Sequence, residues 1–223
     1  TREVDGAGRE REDHLVRGLL AGVAAFRWLA WAWMAALLLV NRSDLLKPAA
    51  RPWLAVALAA AALLVTAGLT VLLFTNPSRM LTPAVVVTDL AVGFTLEMGD
   101  RIVYNGIGHS QSLASAWPLA GLLTAGIAFR SRGGAAAGAV VGFGRVVGEL
   151  VDPTMWSERD TVSLLSTIVL YSLAGGLAGF VTARLRTAEQ RISAAAVRHF
   201  VFSTHYRKQL NFTADGLEAS REA

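Results

Sequence analysis

Five charged side chains stand inside stretches that are otherwise apolar: Arg27, Asp89, Glu97, Arg145 and Glu149. A buried ion costs roughly 2.5–3.5 kcal/mol on membrane-insertion scales unless it is paired or hydrated. Each of the five therefore needs a partner. Arg27 lies about 13 Å from the start of its stretch and Asp89 about 10 Å from the start of its own, at 1.5 Å per helical residue. If the two helices run the same way these depths match, and an Arg27–Asp89 pair is expected. Such a pair is either a latch between two helix packings or a static staple. Arg145 and Glu149 are four residues apart and share a helix face. With Glu97 they predict a polar crevice open to one side, suited to a ligand or a proton-sensitive group. The alternative is self-neutralisation within one helix.

Other chemistry has little to work with. The chain of 223 residues has no cysteine, so disulfides and thiolate chemistry are excluded. His109 has no companion histidine nearby, which argues against a metal site. No phosphate-binding GxxxxGK[ST] loop, HExxH helix, GxSxG elbow or histidine phosphoacceptor box is present. The expectation is a protein without catalysis, cofactor or metal.

The elements that must position these charges are long and apolar. Six stretches, 18–40, 53–75, 83–98, 113–129, 135–151 and 162–183, are each long enough or nearly so to cross a bilayer, which takes about 20 residues. The stretch 53–75 has threonines as its only polar residues and so lacks the polar face of a soluble amphipathic helix. Hydrophobic residues make up 53% of the chain and charged residues 17%, which is too apolar for an ordinary soluble domain. The fold class expected is an all-α integral membrane protein, a bundle of about six transmembrane helices. It would be a multi-pass membrane protein, with the lipid bilayer as its first partner.

Orientation follows from the arginines. Segments on the side of the N-terminus carry Arg2, Arg9, Arg11, Arg17, Arg79, Arg130, Arg132, Arg184, Arg186 and Arg191; the opposite side carries Arg42, Lys47, Arg51, Arg101 and Arg159. The bias favours both termini in the cytoplasm, although Arg42, Lys47 and Arg51 in the first outer loop pull the other way. The net charge of +4 is explained by these flanking arginines, so no nucleic-acid partner is inferred. Residues 1–17 are polar and form a cytoplasmic segment rather than a signal peptide. Turn chemistry at Lys47-Pro48, Arg51-Pro52, Asn76-Pro77, Ser131-Arg132-Gly133-Gly134 and Asp152-Pro153 marks the joints. Trp53, Trp117 and Trp156 fall where membrane interfaces are expected. The longest outer connection, 99–112, is too short for a folded sensor domain.

Gly134, Gly138 and Gly142 form one flat stripe at a spacing of four, and Gly175 and Gly179 repeat it on the last helix. Small residues at this spacing let helices approach closely. The stripe predicts tight packing, either within one chain or at a dimer seam.

The runs FRWLAWAWMAALLL at 26–39, RPWL at 51–54, VVVTDLAVG at 85–93 and the exit RLRTAEQRISAAA at 184–196 carry a resemblance. From about 14 to 196 the chain resembles the N-terminal membrane input domain of actinobacterial sensor histidine kinases. The resemblance implies signal transduction in a two-component system, a homodimer through the sixth helix, and a signalling-helix stub at 184–196. A kinase core or response regulator would be a partner only of a full-length parent. The chain then departs from that pattern. Residues 197–223 carry no phosphoacceptor box and resemble, through HYRKQLNFT at 205–213, a short piece of cysteinyl-tRNA synthetase, without that enzyme's nucleotide or zinc motifs. They are read as a cytoplasmic tail of foreign character. The alternatives to a sensory module are a small transporter or permease subunit, with a midplane site at helices broken near Pro83 or Pro118, and a structural membrane partner.

Overall fold

In the computed structural model, residues 2–48, 50–104, 112, 114, 116–151 and 161–188 are described, with side chains from Leu15 onward. Contacts divide the chain into two units. Asp13–Ala183 forms a helix bundle. Thr1–Glu12 with Arg184–Ala223 forms the other unit, whose described residues are the beginning of the first helix and the end of the last.

Nearly all of the described residues are helical, with no strand among them. Helix α1 spans Arg2–Val40, and a single turn, α2, follows at Arg42–Leu45. Helix α3, Pro52–Thr75, starts with proline in its first turn, where the missing N–H is no loss. It stops at Asn76, and a 3₁₀ turn at Pro77–Leu81 leads into α4, Pro83–Tyr104. Helix α5 spans Trp117–Val151 and α6 spans Thr161–Ala188. By length and composition four segments are apolar enough to cross a membrane, Leu15–Val40, Pro52–Thr75, Trp117–Val151 and Thr161–Ala188, of which Trp117–Val151 is not one straight helix.

α5 reverses at Arg130, the only non-helical residue within it (φ 63°, ψ −171°). A Cβ placed on Gly134 would fall 2.9 Å from the Gly126 Cα. In a straight helix, eight residues separate two Cα atoms by about 12 Å. The segments 117–129 and 131–151 are thus two antiparallel arms joined by one residue, and Leu122 and Ala125 of the first pack with Ala137 and Val141 of the second. The sequence placed this joint at Ser131-Arg132-Gly133-Gly134. Those four residues are helical instead; Gly133 leaves room for Phe129 across the reversal, while Gly134 serves packing against another helix. Gly134 and Gly138 lie so close to the carbonyls of Gly175 and Tyr171 that a side chain at either would collide with backbone. The glycine stripe is spent within the chain, on the seam between the second arm and α6.

Neighbours run antiparallel along the chain. Leu20 and Val23 of α1 cluster with Leu73 near the end of α3, while Leu37 clusters with Ala55 near its start. The Arg51 amide donates to the Val103 carbonyl at 2.8 Å, tying the start of α3 to the end of α4.

α4 is the centre of the bundle. It packs on α3 at Gly99 through Leu58, on the first arm of α5 at Gly93 through Pro118, and on the second arm where its Phe94 carbonyl would lie 2.7 Å from a Cβ on Gly144. This explains why α4 is not among the four segments above. It carries Asp89, Glu97, Asp100 and Arg101, all facing protein, with Asp89, Glu97 and Asp100 no more than 7% exposed. It also runs on past Met98, where sequence placed its end, to Tyr104. Arg101, expected in an outer loop, is a helical residue.

Candidate functional site: two polar nodes on α4

The first node joins α1, α3, α4 and α5. The Arg27 guanidinium donates through Nη1 and Nη2 to the two carboxylate oxygens of Asp89 at 2.5 and 2.6 Å. Both side chains are almost fully buried. The guanidinium also lies 5.0 Å from the centroid of the Trp117 ring, a cation–π contact that strengthens when water is excluded. Trp117 is fully buried, not at an interface as its position in the sequence suggested. Its Nε1 donates to the Thr66 hydroxyl at 3.0 Å. The Thr70 hydroxyl donates to the Thr66 carbonyl at 2.7 Å, and Trp28 Nε1 donates to Thr70 at 3.1 Å. A polar thread thus runs from α4 through α5 and α3 back to α1. Thr66 and Trp117 were missed in the sequence; the signal was two polar-capable residues in apolar stretches, read as harmless and as interfacial.

Trp117 also marks a break in the path of the chain. Ser112, Ala114 and Ala116 are not helical, and Ala114 is fully buried beside Ala30, Met34 and Leu96. Gly93, about midway along α4, meets Pro118. The first arm of α5 therefore begins in the middle of the bundle rather than at its end, and residues 117–129 extend only about 20 Å.

The second node joins α4, α5 and α6 nearer the Tyr104 end. The Tyr171 hydroxyl donates to Glu97 at 2.5 Å, and Arg101 pairs with Glu149 at 3.0 Å. Arg145 and Asp100 lie within electrostatic range of Glu97. Glu97, Arg145 and Glu149 were the sequence candidates, and the structure sets them beside Tyr171, Asp100 and Arg101. Glu97 and Glu149 are 2% and 7% exposed, while Arg145 and Arg101 are half-buried. Tyr171 and Arg101 were missed because one lay in an apolar run and the other in an expected loop.

Of the glycines, Gly134, Gly138, Gly142, Gly175 and Gly179 all lie on the α5–α6 seam or its Arg130 end. His109, Trp156, Glu158-Arg159-Asp160 and residues 189–223, including the signalling-helix stub beyond Ala188, lie outside the described residues. No group of three metal-ligating side chains occurs among the described residues.

Together these features define a protein whose described residues are helical, with membrane-compatible helices and two buried polar nodes strung on the helix that carries Asp89, Glu97, Asp100 and Arg101. No protein-family model matches the chain, and no curated protein or solved structure matches it.

Proposed function

We propose that the chain is the transmembrane input module of a sensor histidine kinase, with six segments crossing a bacterial membrane and both termini in the cytoplasm. The single observation that supports this reading is that one central helix is linked by buried polar contacts to both the entry and the exit helix. Asp89 binds Arg27 on α1, and Glu97 binds Tyr171 on α6. The rest of the α6 contact with the second arm of α5 is close backbone packing at glycines, which passes a shift on rather than absorbing it. A stimulus acts on such a device only by binding two packings with different affinity. The output is a displacement of α6, delivered to whatever follows it in a homodimeric parent. Catalysis belongs to that parent and not to this chain.

The test uses the chain cut after Ala196 and joined to a kinase core. Residues inserted one at a time near Ala194 rotate the core relative to α6. Kinase output should vary with the insert and recover at three or four residues, following 3.6 per turn. A Gly-Gly-Gly insert should uncouple it, since each glycine weakens the helix by about 1 kcal/mol. Output indifferent to both makes α6 an anchor and the reading wrong.

A transporter or permease subunit is the second reading. It is favoured by the start of an α5 arm at Trp117 in mid-bundle, since transporters place substrate sites at such interrupted helices. Uptake of a substrate by vesicles containing this chain alone would decide for it.

A further inference from the structure

A groove of about 390 Å³ opens sideways between α3 and α4, lined by Val65, Gly68, Leu69 and Leu72 on one side and Ala84, Val85, Thr88 and Asp89 on the other. Its size is that of a small-molecule site, but its chemistry is not. Thr88 spends its hydroxyl on the Ala84 carbonyl at 2.9 Å. Both oxygens of Asp89 are taken by Arg27. The other six lining residues, Val65, Gly68, Leu69, Leu72, Ala84 and Val85, offer only hydrocarbon or no side chain, so hydrocarbon is the occupant the groove solvates best. A Cβ on Gly68 would meet nothing within 4 Å, so the missing side chain there is space rather than packing. From Val65 to Leu72 the groove runs about 10 Å along α3, toward the turn that joins α3 to α4. That turn, Pro77–Leu81, carries the exposed Arg79, five residues before the groove residue Ala84. An exposed arginine on the turn that joins the two walls of a hydrocarbon slot is the complement of a lipid phosphate.

We propose that this groove holds one acyl chain of an anionic phospholipid whose phosphate is bound by Arg79. The proposal rests on the membrane setting given above, but not on the sensory reading.

The probe is phosphatidylglycerol with a photoactivatable group on one acyl chain, added to the detergent-purified full chain, with the phosphatidylcholine analogue as control. Cross-links on the unmutated protein should concentrate in peptides covering 65–72 and 84–89. Phosphatidylglycerol should label these at lower concentration than phosphatidylcholine, by about fivefold for one arginine at a membrane surface. Arg79→Gln should remove that preference while leaving the labelled peptides unchanged. Gly68→Phe should abolish labelling there; its fold is checked by size exclusion and helix content, and the unmutated protein's cross-link map stands without it. Labelling spread evenly over the exposed faces of α1, α3 and α6 would mean annular lipid only and would overturn the site. Equal labelling by both lipids, or a preference that survives Arg79→Gln, would overturn the headgroup assignment. Failure of the kinase graft above would leave all these outcomes readable, because none uses kinase output.

Discussion

Replacing Arg27 by methionine should destabilise the protein more than replacing Arg27 and Asp89 together. Methionine keeps most of the buried stem of Arg27 but leaves the Asp89 carboxylate without the two hydrogen bonds at 2.5 and 2.6 Å. Stranding one member of a buried pair costs about 3–5 kcal/mol, and loss of the contact with Trp117 adds up to about 2 kcal/mol. Asp89→Asn should cost a similar 3–5 kcal/mol, because it leaves the Arg27 charge unneutralised. Asparagine is chosen because Asp89 Oδ2 lies only 3.2 Å from where a Cβ on Gly121 would sit, so a larger side chain does not fit. With both changes the charges are gone, and the remaining cost is that of a partly satisfied buried amide, about 1–3 kcal/mol, together with the same loss at Trp117. The double variant should therefore be more stable than Arg27→Met alone, with a coupling of at least about 3 kcal/mol, at the upper end of what touching residues show. The assay is loss of helix on titration with SDS from a mild detergent, read by circular dichroism, with the refolding limb checked for reversibility. If the two losses simply add, the pair does not carry the energy assigned to it and the first node is wrongly built.

Other substitutions separate packing from conformation. Gly138→Ala should destabilise by about 1–3 kcal/mol through overpacking against the Tyr171 carbonyl, whereas Gly68→Ala, in open space, should be neutral or stabilising by up to about 1 kcal/mol in the same titration. Arg130→Gly should stabilise by about 1 kcal/mol, because φ 63° with ψ −171° is a region essentially reserved for glycine; a loss of stability would show that the arginine side chain matters more than its backbone. Cysteines placed at Ser110 and Ser157 should react with an impermeant maleimide on intact cells and one at Ser193 should not, with the reverse pattern refuting the orientation proposed.

Periodicity and composition are enough to read off the apolar helices, because a segment such as 53–75 leaves no alternative to burial in hydrocarbon or protein. The partners of the charges are harder. Arg27 and Asp89 can be matched from depth alone, since both need a neutralising group and few are at hand. Arg101 cannot, because a charge next to Asp100 and Gly99 has the look of a loop until α5 is seen to bring Glu149 against it. Tyr171 is hidden for the opposite reason: a lone tyrosine in an apolar run carries no sign of which carboxylate its hydroxyl meets. Glycines mislead most. Gly133-Gly134 after an arginine is ordinary turn chemistry, yet here the turn residue is Arg130, and Gly134 is required by the approach of another helix. Local propensity does not distinguish a glycine needed for its backbone freedom from one needed for its missing side chain.

The enclosure of α4 has a consequence for how the protein is made. In the membrane setting proposed above, a helix leaving the ribosome is offered to lipid before its later neighbours exist. Each acidic or basic residue near its centre opposes that transfer by about 2.5–3.5 kcal/mol, while each leucine or valine favours it by only about 0.3–0.6 kcal/mol. With Asp89, Glu97, Asp100 and Arg101 aboard, α4 does not partition alone. The neighbours already synthesised are α1 and α3, and Arg27 on α1 can neutralise Asp89 as α4 emerges. The remaining charges of α4 must wait for Glu149 and Tyr171, which arrive with the second arm of α5 and with α6. The insertion machinery would thus release α4 late, together with α5 and α6, and on a ribosome stalled after α4 a photoactivatable probe in α4 should still cross-link to that machinery while one in α3 already labels lipid.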